Sequence, residues 1–158
     1  MLVDLDISDQ LIVQIGGGTV AAGRVARFIS DGARVLVIAP ELDSELAVLV
    51  ANRRVKWHQR KFEDNDLNGD MVMISVAIDD VQEDARIKEL ARQKTVLLAS
   101  ANGGGAVRQV AQRQAGDYRI AVDSGGKAPG NSVYLVEQLA AHCRSLVEQD
   151  DLRSQRGG

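Results

Sequence analysis

The stretch Leu11–Ser30, LIVQIGGGTVAAGRVARFIS, determines the fold class of this 158-residue chain. Its first part, Leu11–Ile15, is uniformly apolar apart from one glutamine, which is typical of a strand buried in a parallel sheet. The glycines Gly16–Gly18 interrupt that strand, and Thr19–Ser30 then has apolar residues at helical spacing. The stretch therefore predicts a β-strand, a tight glycine turn and an α-helix in direct succession.

Further apolar strands and amphipathic helices alternate along the rest of the chain. Strands separated by helices of this length form right-handed βαβ units with parallel strands. We therefore expect an α/β fold with a Rossmann-like parallel sheet, helices on both faces, and a short C-terminal strand–helix segment. The later predicted strands are Arg34–Ala39, Val55–Gln59, Met71–Ala77, Val96–Ser100 and Tyr118–Asp123, and the later predicted helices are Ser44–Asn52, Asp80–Gln93, Ala106–Gln114 and Asn131–Gln149.

Composition and charge exclude several classes of protein. The chain has 19 Lys and Arg against 22 Asp and Glu, a net charge of −3, which makes nucleic acid an unexpected partner. No apolar run reaches the roughly 20 residues that a membrane span needs. The single cysteine, Cys143, fits a reducing cytoplasm, and with only two distant histidines it cannot build a structural zinc site. We expect a cytoplasmic protein without a metal, membrane or nucleic-acid partner.

The glycine turn has the spacing of a dinucleotide-binding fingerprint. Gly16-x-Gly18-x-x-Ala21 directly follows a predicted strand and opens a predicted helix, which is the context that the fingerprint requires. Gly16 permits the tight turn, Gly18 lets the backbone approach a pyrophosphate, and Ala21 lets the helix lie close to the strand. The helix N-terminus then offers N–H groups and partial positive charge to the phosphates. The alternative is a glycine-rich turn that serves close packing alone.

Two carboxylates after later strands are candidates for binding the ribose groups of a dinucleotide. Glu41 follows Ala39-Pro40 at the end of the second strand, where an acid would favour NAD over NADP by repelling the 2′-phosphate. Asp79 follows the fourth strand, at the edge where open α/β sheets bind ligands. The alternatives are a solvated loop carboxylate for Glu41 and a helix cap for Asp79 or Asp80.

Two more glycine clusters follow the fifth and sixth strands. They are Asn102–Gly105 and the loop Ser124-Gly125-Gly126-Lys127-Ala128-Pro129-Gly130. Exposed N–H groups in such loops can bind carboxylates or phosphates, and Lys127 adds a positive charge to the second loop. Turn chemistry alone is the alternative explanation.

These motifs together resemble the N-terminal dehydrogenase part of siroheme synthases, the precorrin-2 dehydrogenase/sirohydrochlorin ferrochelatase family. The order and spacing agree over residues 1–145. The shared motifs are Gly-Gly-Gly-x-Val-Ala from Gly16, Ala-Pro-Glu ending at Glu41, the pair Asp79-Asp80, and Ser-Gly-Gly-x-x-Pro from Ser124.

The resemblance implies an oxidoreductase of siroheme and porphyrin biosynthesis that oxidises precorrin-2 to sirohydrochlorin with NAD as hydride acceptor. It also implies a homodimer that binds a tetrapyrrole, with a dinucleotide-binding domain over residues 1–116 and a dimerisation segment over 117–158 that is shorter than in the family. The implied cofactor contacts, together with Gly16 of the glycine turn, are Gly16, Gly18, Thr19, Val20, Pro40, Glu41 and Asp79. The expected tetrapyrrole contacts are Ser100, Asn102, Ser124, Gly125 and Lys127.

The chain departs from this family at the proposed catalytic carboxylate. The family has an aspartate, its proposed acid/base group, in the loop after the fifth strand, and the matching position here is Ser100 or Gly104, depending on the alignment. No carboxylate occurs from Val96 to Gly116. The catalytic residue is therefore unassigned. The hypotheses are a precorrin-2 dehydrogenase that works without this group, a non-catalytic dinucleotide- or tetrapyrrole-binding protein, and a nucleotide-sensing domain, which has no need of the Ser124 loop.

Overall fold

The computed structural model describes the backbone of residues 4–156 and the side chains of residues 4–148. The chain divides into two compact units, Met1–Arg108 and Gln109–Gly158. The domain boundary predicted after residue 116 falls inside the second of these units.

The first unit is built on a five-stranded parallel sheet with the spatial order β3-β2-β1-β4-β5. The strand order reverses beside β1, so β1 and β4 flank the switch point at which open α/β sheets bind ligands. The sheet confirms the predicted Rossmann-like fold. Its strands are β1 Leu11–Ile15, β2 Arg34–Ile38, β3 Lys56–His58, β4 Met71–Val76 and β5 Leu97–Ser100.

Helices cover both faces of this sheet, as predicted. Helices α1 (Thr19–Ser30) and α2 (Ser44–Ala51) contribute to one apolar cluster, and α3 (Val81–Gln93) contributes to the other. Because β1, β2 and β4 have apolar side chains on both sides, each face of the sheet can bury a helix. The central residues are Ile12, Val25, Phe28, Val37 and Leu46 in the first cluster and Val13, Ile74, Val76, Ile87 and Ala91 in the second.

The second unit is an antiparallel hairpin with a long helix. Strand β6 (Ala111–Ala115) pairs with β7 (Tyr118–Val122), and α4 (Pro129–Arg156) packs on the hairpin. The predicted helix over Ala106–Gln114 is wrong. Its Ala, Gln and Arg residues favour a helix locally, but pairing with β7 overrides that weak preference. Within residues 4–156, no helix is long and apolar enough to cross a membrane.

Candidate functional site

A cavity of about 640 Å³ lies at the carboxyl edge of the parallel sheet. Its walls are the β1–α1 turn and the segments that follow β2, β4 and β5. This is the position at which the switch point of an open α/β sheet binds ligands. Every predicted cofactor residue lines this one cavity, and the set is Gly16, Gly18, Thr19, Val20, Pro40, Glu41 and Asp79.

Close backbone approach makes glycine necessary at Gly16 and Gly17. Gly16 has a φ of +99°, and a Cβ on it would lie 2.0 Å from the carbonyl oxygen of Ala77. A Cβ on Gly17 would lie 2.1 Å from the carbonyl oxygen of Glu41. The backbone N–H of Asp43 also donates to the carbonyl oxygen of Gly17 over 2.6 Å. Gly17 was not among the predicted site residues, yet it holds the turn against the segment after β2.

Gly18 has a different role, because its backbone does not require glycine. Its φ is −79°, and a Cβ there would have no protein atom within 4 Å. Gly18 is the N-cap of α1, and no side chain caps that helix. The first-turn N–H groups of α1 therefore lack side-chain acceptors and lie where the helix dipole attracts an anion. This arrangement fits a dinucleotide pyrophosphate.

Asp43 links the starts of the two helices that border the cavity. Its Oδ2 accepts a hydrogen bond from Thr19 Oγ1 over 3.0 Å, and its Oδ1 accepts from the backbone N–H of Glu45 over 2.9 Å. The second bond caps α2. Asp43 was not among the predicted site residues, although its position directly before a predicted helix was an available signal.

The structure separates the two adjacent acids that follow β4. Asp80 is the N-cap of α3, and its Oδ1 accepts from the backbone N–H groups of Gln82 and Glu83, each over 3.0 Å. Asp79 instead lines the cavity and is exposed. Asp80 is therefore the residue that caps the helix, and Asp79 remains a candidate for binding a ligand.

The predicted tetrapyrrole contacts in the first unit, Ser100 and Asn102, have different environments. Ser100 is buried, and its Oγ donates to Asp84 Oδ1 over 2.9 Å while accepting from the backbone N–H of Asn102 over 3.0 Å. Asn102 lines the cavity, and its Nδ2 donates to the carbonyl oxygen of Ile78 over 3.2 Å. The Ser100 hydroxyl is thus committed within the protein, whereas Asn102 belongs to the cavity wall.

The remaining predicted tetrapyrrole contacts form the turn before α4 in the second unit. Ser124 Oγ accepts from the backbone N–H of Ala128 over 3.0 Å, and the N–H of Gly125 donates to Asp123 Oδ1 over 2.8 Å. Gly125 has a φ of +67°, which favours glycine at this position. The side chain of Lys127 is exposed. Hydrogen bonds within the turn therefore determine its shape, and the ammonium group of Lys127 is accessible to solvent.

Arg24 fixes α1 against the sheet below the cavity. Its Nη1 donates to Ser75 Oγ over 3.0 Å and to the carbonyl oxygen of Ala99 over 3.3 Å. Burial lowers the pKa of the Arg24 guanidinium, and the nearby charge of Arg27 lowers it further. These bonds tie the helix to β4 and β5, so the N-terminus of α1 is held at the sheet edge.

The charged side chains that line the cavity are acidic. They are Glu41 and Asp79. Within residues 4–148, no group of three or more His, Cys, Asp or Glu side chains is placed to hold a metal ion. Positive potential for phosphates comes instead from the N-terminus of α1.

Comparisons with known proteins agree with this geometry. Residues 3–114 match the family model described as "Putative NAD(P)-binding". The "Siroheme biosynthesis protein met8" of Schizosaccharomyces pombe is 30% identical over 147 residues, which are 87% of this chain and 50% of that protein. The "Precorrin-2 dehydrogenase" of Priestia megaterium is 26% identical over 89% of this chain and 69% of that protein. The solved structure "SirC, precorrin-2 dehydrogenase" has a TM-score of 0.75 and 26% identity, over 90% of this chain and 70% of that chain.

These matches confirm the resemblance to precorrin-2 dehydrogenases and siroheme synthases that the sequence motifs predicted. They also support a nicotinamide dinucleotide as the cofactor. The chain spans about half the length of the fission-yeast relative.

Proposed function

This chain belongs to the NAD(P)-binding family whose model it matches, and we propose that it is an NAD-dependent dehydrogenase that oxidises precorrin-2 to sirohydrochlorin. Relatives that carry this activity in their names cover most of the chain. The observation that carries the proposal is the composition of one cavity at the sheet edge. It brings together the glycine turn, Glu41 and Asp79, which lie far apart in the sequence.

Different residues of the cavity bind different parts of the dinucleotide. The first turn of α1, entered through Gly18, binds the pyrophosphate, because its N–H groups have no side-chain cap. Glu41 accepts hydrogen bonds from the hydroxyls of the adenosine ribose and repels a 2′-phosphate, so NAD binds more tightly than NADP. We assign Asp79, which lines the same cavity, to a second ribose. The cofactor itself supplies the hydride acceptor, and the protein orients the two reactants.

Two regions supply the proposed contacts to the tetrapyrrole. Asn102 lies in the wall of the cofactor cavity, and the turn with Ser124, Gly125 and Lys127 precedes α4. Precorrin-2 carries several carboxylates, and Lys127 offers them an exposed positive charge. We therefore propose Asn102 as a tetrapyrrole contact in the first unit and, separately, Ser124, Gly125 and Lys127 as tetrapyrrole contacts in the second unit.

The missing loop aspartate favours a second candidate function, a dinucleotide- or tetrapyrrole-binding protein without catalysis. Ser100 occupies one of the two positions that can be aligned with that aspartate. Its side chain is buried, and its hydroxyl donates its hydrogen bond to Asp84. General acid–base help is worth about 10²- to 10⁴-fold in rate. A dehydrogenase with this loop is therefore expected to turn over slowly.

We also propose that the chain forms a homodimer through α4. Val136 and Ala140 on this helix are fully buried, but a second set of apolar side chains is about half exposed. A second copy of the chain would cover that face, and sedimentation velocity would detect the dimer. The exposed set is Val133, Tyr134, Leu135, Leu139 and Leu146.

The proposed activity is tested with NAD⁺ and precorrin-2 in the cytoplasmic pH range, by following NADH absorbance. We expect NADH formation with NAD⁺ and weaker binding of NADP⁺. Gly18→Val should lower NAD affinity at least about 100-fold while the protein remains folded, because the new side chain enters the space where the pyrophosphate binds.

Gly23→Ala is the matched control. Gly23 lies on the exposed side of α1, and a Cβ there also meets no protein atom within 4 Å. NAD affinity should be unchanged in this variant. NAD binding without NADH formation would select the non-catalytic candidate, and equal NAD affinity in Gly18→Val and wild type would exclude the cofactor site.

A further inference from the structure

A buried carboxylate on α3 has no role in the function described so far. Asp84 is only 2% exposed. Its Oδ1 accepts from Ser100 Oγ over 2.9 Å, and its Oδ2 forms an ion pair with Lys88, one helical turn further on. Burying a charge is costly unless it is paired and hydrogen-bonded. Each oxygen of Asp84 has such a partner, so the group is held in one orientation.

Ser100 transmits this constraint to the loop after β5. A hydroxyl has one hydrogen, and Ser100 gives it to Asp84, so its oxygen is left to accept. It accepts the backbone N–H of Asn102 over 3.0 Å. Asn102 in turn bonds to the carbonyl oxygen of Ile78 over 3.2 Å, and both Asn102 and Ile78 line the cofactor cavity. An unbroken series of hydrogen bonds therefore leads from α3 to the cavity wall.

Backbone hydrogen bonds hold both neighbours of Asn102, with Ala101 N–H donating to Val76 over 2.9 Å and Gly103 N–H to Ser100 over 3.3 Å, but the glycines that follow have few contacts. Gly103 and Gly104 follow it with φ values of +75° and +76°, and a Cβ on Gly103 would meet no protein atom within 4 Å. Consecutive glycines have more conformational freedom than other residues. Lys88 flanks the same loop, since its Nζ lies 3.7 Å from the Cβ position of Gly104. The Asp84–Lys88 pair thus borders this glycine loop at two points.

We propose that Asp84 is a positioning residue, which acts through Ser100 to hold Asn102 in the cavity wall against the bound nicotinamide dinucleotide. This inference rests on the proposed function, because it takes the cavity to be the cofactor site. Asp84 touches neither cofactor nor substrate in this arrangement. Its effect on binding passes through one hydroxyl and one backbone N–H.

The test measures NADH affinity by fluorescence on the full chain, for Asp84→Asn, Ser100→Ala, Asn102→Ala and the double variants. Ser100→Ala should weaken NADH binding about fivefold, the effect of losing one hydrogen bond that orders a contact. Asp84→Asn should weaken it less, because an amide oxygen still accepts from Ser100 without the charge. In the Asn102→Ala background, either substitution should change the affinity less than about twofold.

Glu89→Gln is the control for loss of an ion-paired carboxylate on the same helix. Glu89 pairs with Arg92, but its side chain is 50% exposed and lies outside the series of hydrogen bonds. This variant should bind NADH as the wild type does. Thermal unfolding measured in parallel identifies any variant that is not folded at the assay temperature.

Two results would overturn the inference. One is a lowered melting temperature in Ser100→Ala and Asp84→Asn with unchanged NADH affinity, which would make the network purely structural. The other is full additivity with Asn102→Ala, which would show that the effect does not pass through Asn102. A wild-type chain that binds no NADH is a different outcome, because it contradicts the proposed cofactor site itself and this inference with it.

Discussion

The glycine clusters after β1 and after β5 contribute to the same cavity but are held in place by different means. In the first cluster, the backbone itself is packed, and any Cβ on Gly16 or Gly17 would overlap a carbonyl oxygen. In the second cluster, Gly103 and Gly104 lie in open surroundings next to the hydrogen-bonded Asn102, and backbone packing begins only at Gly105, where a Cβ would lie 2.4 Å from the carbonyl oxygen of Leu98. The comparison shows that Gly16 and Gly17 serve steric fit, whereas Gly103 and Gly104 serve backbone conformation.

This difference has a consequence for how each turn tolerates change. Packing of backbone on backbone leaves little room for relaxation, because Ala77 directly follows β4 and its N–H donates to the carbonyl oxygen of Ile15 in β1 over 2.9 Å. The part of the second loop around Asn102–Gly104 is held by hydrogen bonds, so it can shift and lose only those bonds. Substitutions in the first turn, at Gly16 or Gly17, should therefore destabilise the folded protein. Substitutions in the second loop, at Asn102–Gly104, should instead weaken ligand binding and leave the protein folded.

The largest expected effect is at Gly16. Gly16→Ala places a methyl group 2.0 Å from the carbonyl oxygen of Ala77 at a φ of +99°, so we expect a loss of at least about 3 kcal/mol in the free energy of unfolding. Urea denaturation measures this loss. Gly23→Ala in the same series should instead raise stability by about 0.5–1 kcal/mol, because it removes a glycine from a helix interior. A loss below about 1 kcal/mol at Gly16 would contradict the steric account.

A smaller effect is expected at Gly104. A Cβ at this position meets nothing closer than Lys88 Nζ at 3.7 Å, so Gly104→Ala should cost only the left-handed backbone conformation, about 1–2 kcal/mol. The same denaturation experiment gives the value. If Gly104→Ala were as damaging as Gly16→Ala, the two clusters would not differ as described.

The smallest effect on stability is expected at Gly18. Gly18→Ala keeps an allowed backbone conformation and meets no protein atom, so the free energy of unfolding should fall by about 0.5 kcal/mol, the difference between glycine and alanine as a helix cap. NADH affinity should nevertheless fall in this variant. If Gly18→Ala lost stability but kept its NADH affinity, Gly18 would be a packing glycine like Gly16 and Gly17, and would not bind the ligand.

Much of the site could be predicted from local sequence because each of its parts directly follows a strand. Gly16, Glu41 and Asp79 come just after β1, β2 and β4, and the carboxyl ends of parallel strands meet at one edge. The residues that were missed act between elements. Asp43 bonds to Thr19, and Asp84 bonds to Ser100, across separations that no local pattern records.

The predicted helix over Ala106–Gln114 failed for a related reason. The residues of β6 are mostly polar, so they show neither helical nor strand periodicity clearly, and pairing with β7 decides their conformation. A five-residue partner strand outweighs intrinsic preferences that amount to a few tenths of a kcal/mol per residue.

The sequence by itself determined the parallel sheet, its helices and the glycine turn, because hydrophobic periodicity and glycine placement are local properties of the chain. Only the tertiary structure decided which of two adjacent acids caps α3 and which faces the cavity. It also decided that Ser100 is bound to a buried carboxylate while Asn102 lies in the cavity wall. Those assignments depend on the partner that each polar group finds when separate elements pack, and hydrogen bonds between distant residues leave no periodic trace in the sequence.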